Sequence, residues 1–179
     1  EGITARGAWE CCRLHFLEKG KDIQKEPLDV VGVGDMAGDV FGNGMLQSKT
    51  IRLRAAFHHL HIFLDPDPEP RKSWVERERL FGLKSSSWTS YKKTLISKGG
   101  GVFERKSKRI KLSKQIKDLL GVQVDVMNGQ ELIKAILQVK TDLLWLGGIG
   151  TYIKSDHESH FQVGDPANDA LRIDQAECR

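Results

Sequence analysis

The feature that most limits what this chain can fold into is a short apolar run that breaks into glycines, Leu28 to Met45, LDVVGVGDMAGDVFGNGM. Pro27 precedes the run, Asp29-Val30-Val31 leads straight into Gly32, and Gly34 and Gly38 follow before a segment able to form a helix. A strand, a tight turn and a helix start in that order present backbone N–H groups and a partial positive charge to a phosphate-bearing ligand. Glycine lets the backbone come close to it. The spacing, G-x-G-x-x-x-G, is one residue longer than the commonest dinucleotide form, and glycine pairs also end strands for steric reasons alone.

The pattern of the remaining chain supplies the context such a turn needs. Residues 4–19 read as a helix with Ala8, Trp9, Cys12 and Phe16 on one face and Gly20 at its C-terminal cap. Asp29–Val33 is the first strand, and a helix runs from the glycine turn to about Ser48. Gly42 and Gly44 weaken that helix, which points to close packing against a strand or a ligand. Ile51–Phe57 reads as a second strand and His61–Leu64 as a further short one, before the turn DPDPEP. Ser73-Trp74-Val75-Glu76 has the form of a capping box opening a helix that stops at Gly82.

Gly99-Gly100-Gly101 reads as a loop, Ser113–Leu120 as a short helix ended by Gly121, and Asn128-Gly129-Gln130-Glu131 as the cap of a helix through Gln138. Asp142–Leu146 is an apolar strand running into a second glycine turn, Gly147-Gly148-Ile149-Gly150, and Asp165-Pro166 opens a last helix with proline at its first position. Strands alternating with helices predict an α/β layered fold with parallel pairing. In such sheets ligands collect beyond the carboxyl ends of the strands, where both glycine turns fall. Two points of backbone approach on one rim suit an extended ligand, a dinucleotide, better than a single phosphate.

Composition narrows the function classes. With 39% hydrophobic and 29% charged residues over 179 positions, the chain has the make-up of one well-buried soluble domain. It carries no apolar run of membrane-spanning length and no signal peptide. It opens on Glu1-Gly2-Ile3 and reads as a piece of something larger. Cys11 and Cys12 are adjacent, Cys178 stands alone and no C-x-x-C occurs, which fits a reducing, cytoplasmic setting.

Much of the positive charge lies between Arg105 and Lys117, without interleaved aromatics, and reads as a solvated face rather than a nucleic-acid patch. No G-x-S-x-G nucleophile turn is present, which argues against a hydrolase. His58, His59 and His61 with Asp65 invite a metal reading, but strand alternation places His59 and His61 on one face and His58 on the other, so no metal site is expected. His157 and His160 read as polar-loop residues, Lys98 as a solvated loop lysine, and Trp9 and Trp145 as core.

Several blocks carry a family resemblance: GITARGAWE (2–10), VVGVGDMAGDVFGNGML (30–46), HIFLDPDPEP (61–70), ISKGGGVF (96–103), DLLWLGGIGTYIK (142–154) and VGDPANDALRI (163–173). Together they resemble the large bacterial NAD-specific glutamate dehydrogenases over essentially the whole chain. The resemblance implies a Rossmann-type three-layer domain with a mostly parallel sheet over 1–179. Residues 1–20 would form a leading helix that links to a substrate domain absent from this chain. The parent would be a cytoplasmic enzyme and a homo-oligomer. It would interconvert L-glutamate and 2-oxoglutarate plus ammonia with NAD as cofactor, and have neither nucleic acid nor membrane as partner.

Carried over by residue, Gly32, Gly34 and Gly38 match the diphosphate turn, and Asp35 and Met36 lie at the helix start where backbone N–H groups would meet phosphates. Gly147 and Gly148 resemble the turn against the nicotinamide-side ribose, and Thr4 resembles the threonine that meets the nicotinamide amide. The lysine and aspartate that drive proton transfer in such enzymes belong to the substrate half. No catalytic residue is therefore expected here, and the chain alone is expected to be inactive.

One position departs from the usual pattern. About 20 residues beyond the glycines a carboxylate normally bonds the adenosine ribose. If the second strand ends at Phe57, that place is held by His58, and the next carboxylate is Asp65. Either could face the ribose, so the choice of NAD over NADP rests on the resemblance. A neutral histidine would tolerate NAD and a protonated one would accept a 2′-phosphate. The competing reading is a non-catalytic Rossmann-like module that senses nucleotides or serves in assembly.

Overall fold

A computed structural model describes residues 1–178. The chain runs α1 (Ile3–Glu18), β1 (Leu28–Val33), α2 (Asp39–Gly44), β2 (Ile51–Phe57), β3 (His61–Leu64) and α3 (Pro70–Phe81). It continues with β4 (Gly101–Glu104), β5 (Ile110–Lys111), α4 (Lys114–Leu120), β6 (Val126–Met127), α5 (Gly129–Leu137), β7 (Leu143–Leu146), β8 (Ile153–Lys154), α6 (His160–Val163) and β9 (Ile173–Asp174). Five strands form the central sheet in the order β4-β3-β2-β1-β7. β1 pairs in parallel with β2 and β7, whereas β3 is antiparallel to both β2 and β4. Four strands therefore point one way and β3 alone runs against them, giving the mostly parallel α/β sheet that the sequence predicts.

Two apolar layers enclose the sheet, and side-chain alternation assigns each residue to one of them. Leu28 and Val30 of β1 join Ala5 and Trp9 of α1, Phe41 of α2, Leu80 of α3 and Trp88. Val31 and Val33 face the other way, onto Ile116 and Leu120 of α4 and Leu132, Ile133 and Ile136 of α5. In β2 a bulge interrupts this alternation: Val30 pairs with Leu53 but Val31 pairs with Ala55, so Arg54 is the extra residue. Arg54 uses its exit from the ladder to donate to the Pro66 carbonyl (2.9 Å) and to Asp29 (3.1 Å).

Several elements differ from their sequence-based expectation. On α1 it is Ala5, not Ala8, that is buried beside Trp9. α2 stops at Gly44 rather than near Ser48, because Gly44 packs against the Trp145 ring, which lies 2.4 Å from where a Cβ would stand. α3 starts at Pro70, three residues ahead of the Ser73 box. The Glu69 carboxylate accepts from the amides of Arg71 and Lys72 (3.1 and 2.8 Å), and proline occupies the first turn, where its missing N–H costs nothing. Ser73 and Glu76 instead sit buried within the helix. Gly101 opens strand β4 rather than ending a loop. Asp165-Pro166 begins a single 3-10 turn, Pro166–Asn168, and not a helix.

Candidate functional site

The carboxyl ends of β1, β2 and β7 lie side by side, and three turns leave the sheet there. β1 ends at Val33, whose carbonyl accepts from the Gly147 amide at 2.7 Å, so the two glycine turns are in direct contact. The Gly34 amide donates to the Phe57 carbonyl at 2.8 Å, which ties the first turn to the end of β2. The Trp88 indole N–H donates to the Gly34 carbonyl at 3.0 Å from below.

The glycines divide into two kinds. Cβ atoms on Gly32 and Gly34 would stand 2.4 and 2.7 Å from Phe41, and one on Gly147 would stand 2.4 Å from the Val33 carbonyl oxygen. These three absent side chains make room for protein, not for ligand. Gly34 also has φ +143°, a conformation open mainly to glycine. Gly38 and Gly148 differ: a Cβ at Gly38 would meet only ordinary contacts from 3.5 Å outward, and Gly148, at φ +81°, has nothing within 4 Å. Gly148 thus faces open space, and Gly38 is the one glycine of the first turn whose missing side chain is not demanded by Phe41.

Asp35 lies in the first turn. Its Oδ1 accepts from the Ala37 amide (3.0 Å) and the Gly38 amide (3.1 Å), and its Oδ2 lies 3.3 Å from Nδ1 of His58. The carboxylate therefore takes two of the N–H groups that the sequence reading leaves free for a phosphate. Met36, next along, turns its side chain into the core, so only its backbone faces the turn. Thr4 is exposed on the first turn of α1, close to the site because the Gly2 amide donates to Asp39 of α2 at 2.8 Å.

The two carboxyl-end alternatives for the ribose separate clearly in space. His58 is buried immediately after β2, and its ring nitrogens lie 3.3 Å from Nδ1 of His59 and 3.2 Å from Nδ1 of His61. Because β2 ends at Phe57 and His59-Leu60 form the turn into β3, strand alternation does not apply, and the three imidazoles cluster instead of pointing apart. Burial pulls His58 down to about 4, the Asp35 carboxylate acts in the opposite sense, and His59, His61 and Arg105 add to the lowering. Among the described residues no group of three or more His, Cys, Asp or Glu is arranged to hold a metal.

Asp65 follows β3, which runs backwards, and its amide donates to the Arg54 carbonyl in the middle of β2. Four residues of strand at about 3.3 Å each set it about 13 Å from His58 along the sheet. It is fully buried, its carboxylate accepts from both the amide and the hydroxyl of Ser97, and burial raises its pKa against those bonds. Lys98, next to Ser97 in sequence, is exposed.

The residue that sequence reasoning missed is Arg105. Its guanidinium donates to the His58 carbonyl at 3.2 Å and to Asn168 Oδ1 at 3.4 Å, which plants it at the end of β2. Nothing in a run such as ERKSKR distinguishes this arginine from its solvated neighbours. Only the β3–β4 pairing brings it to the rim.

Comparison with known proteins identifies a family. Residues 1–179 match the family model described as bacterial NAD-glutamate dehydrogenase, catalytic domain. The chain is 53% identical to the NAD-specific glutamate dehydrogenase of Pseudomonas aeruginosa over 178 residues. It is 54% identical to that of Halomonas elongata over 179 residues, and 54% to that of Mycobacterium tuberculosis over 184. Each comparison covers 99% of this chain but 11% of the relative's length.

Proposed function

The chain belongs to the bacterial NAD-glutamate dehydrogenase family, matching its catalytic-domain model, and from that premise we propose that it is the part of the enzyme that holds NAD. The observation that carries this reading is the meeting of two glycine turns at the carboxyl rim of a mostly parallel sheet, with Gly148 facing open space. The full-length enzyme would oxidise L-glutamate to 2-oxoglutarate and ammonia, with bound NAD supplying the hydride acceptor.

In this reading Gly32, Gly34 and Gly38 shape the diphosphate turn, the first two by letting Phe41 pack beneath it. The Ala37 and Gly38 amides receive the diphosphate once the Asp35 carboxylate gives them up, and His58 is the neighbour that can hold that carboxylate. Gly147 and Gly148 border the nicotinamide-side ribose, and Thr4 lies toward the nicotinamide amide. His58 stands at the ribose end, whereas Asp65 is enclosed and serves the fold. The domain's work is positioning, so the proton-transfer groups lie in a substrate domain outside this chain. Residues 1–20 are the link to it.

Substituting Gly38→Leu tests the reading. Gly38 has φ −77° and ψ 136°, which any residue adopts, and its Cβ would meet only ordinary contacts, so the backbone there accepts a side chain. In the full-length protein NAD affinity is expected to fall about tenfold or more, equivalent to at least about 1.4 kcal/mol. Unchanged NAD binding by this variant would remove the glycine turn from the site. NADH formation from glutamate by residues 1–179 alone would place catalytic groups within this chain.

A further inference from the structure

We propose that Trp88 is a positioning residue for the coenzyme: its buried indole N–H holds the Gly34 carbonyl inward and so turns the Asp35 amide outward, to the diphosphate of NAD. The inference rests on the coenzyme reading above. It begins from the two backbone groups of Gly34. The N–H is held by the Phe57 carbonyl at 2.8 Å and the C=O by the Trp88 indole at 3.0 Å, so the glycine is clamped from both sides at φ +143°. The peptide joining Gly34 to Asp35 is trans, and in a planar trans peptide the C=O and N–H point in opposite directions. A carbonyl drawn toward Trp88, in the apolar layer beneath the turn, therefore sends the Asp35 N–H away from that layer.

This amide is available in a way that its neighbours are not. The Ala37 and Gly38 amides donate to the Asp35 carboxylate, whereas among the described residues the Asp35 amide donates to no protein group. The indole is itself held in place. Trp88 is fully buried, stacked on Phe63 (centroids 4.7 Å apart, planes at 20°) and edge-on to Phe41 (5.8 Å, 87°), the ring that fills the space left by Gly32 and Gly34. It opens a 3-10 turn, Trp88–Ser90, whose start is closed by a reciprocal cap between Ser87 and Ser90. The Ser90 carbonyl accepts from Arg79 of α3 at 2.7 Å, which ties the turn to the helix. A buried indole N–H needs an acceptor, and the Gly34 carbonyl is the one it has. Phenylalanine in this place would keep the stacking but leave that carbonyl free to turn, and the Asp35 N–H with it.

Trp88→Phe in the full-length protein tests this, beside Phe63→Leu as a control that disturbs the same stack without removing the N–H. Trp88→Phe is expected to raise the KM for NAD about fivefold, with kcat at saturating NAD within about twofold of wild type. Phe63→Leu is expected to lower the thermal midpoint while leaving that KM within about twofold of wild type. Ser87→Ala, which loosens the cap that seats the indole, is a milder arm with an expected rise of about twofold to threefold, and it decides the matter if Trp88→Phe does not fold. An unchanged KM in the deciding variant, or an equal rise in Phe63→Leu, overturns the proposal, and it does so alone if Gly38→Leu still weakens NAD. If Gly38→Leu also binds NAD unchanged, the coenzyme reading falls with it.

Discussion

His58 and Asp65 are seven positions apart in sequence, both buried, and both driven by burial toward their neutral forms, yet they sit in opposite places. His58 follows a strand that runs toward the rim, so it borders Asp35 of the glycine turn and the Arg105 guanidinium. Asp65 ends a strand that runs away from the rim, so its carboxylate is spent on Ser97 inside the fold. Burial by itself therefore says little about function. The direction of the preceding strand decides whether a desolvated polar group ends at the carboxyl rim or inside the fold.

The largest effect expected from this contrast is on pH. Because the folded chain holds His58 near 4, below the value of about 6.5 for a free imidazole, the unfolded chain takes up the proton first. Stability then falls as pH drops from about 6.5 towards 4, by no more than about 3 kcal/mol from this group. Denaturant unfolding across that range should show the slope, and His58→Gln should flatten it. Asp65, whose pKa is raised by burial, acts with the opposite sign, so Asp65→Asn should steepen the fall rather than flatten it.

Next in size is Asp65→Ala, which strips the Ser97 amide and hydroxyl of their acceptor. We expect it to cost about 2 kcal/mol of stability and to change NAD affinity less than about twofold. A tenfold loss of NAD binding in a variant that remains folded would erase the distinction drawn between the two residues. The smallest effect is His58→Ala, expected to weaken NAD by about fivefold, about 1 kcal/mol, through loss of the group beside Asp35. Equal NAD affinity in wild type and variant, measured by calorimetry, would leave the ribose end to other residues.

Much of this architecture is legible in the chain itself. The runs at 28–33 and 51–57 form strands because apolar side chains alternate toward two layers, and the N-cap at Ser113 and the capping box at Asn128 place α4 and α5 where the spacing predicts them. Other signals mislead for physical reasons. Ser73 and Glu76 have the spacing of a cap, but Glu69-Pro70 satisfies the first amides earlier, and the later pair is drawn inward by Arg77 and Arg79. β4 is short and opens on a glycine, so nothing local distinguishes it from loop until β3 supplies its partner.

The sequence by itself determined that two apolar strands end in glycine turns, and that the position where a ribose carboxylate is expected carries a histidine. Those facts depend on residue type and spacing within one strand and its turn, where local sterics govern. Only the tertiary structure decided that β3 runs backwards, which takes Asp65 off the rim, and that Phe41 fills the space left by Gly32 and Gly34. It alone brings Arg105 to His58. These are contacts between segments distant in the chain, set by strand order and by which faces must bury apolar surface, and no local pattern encodes them.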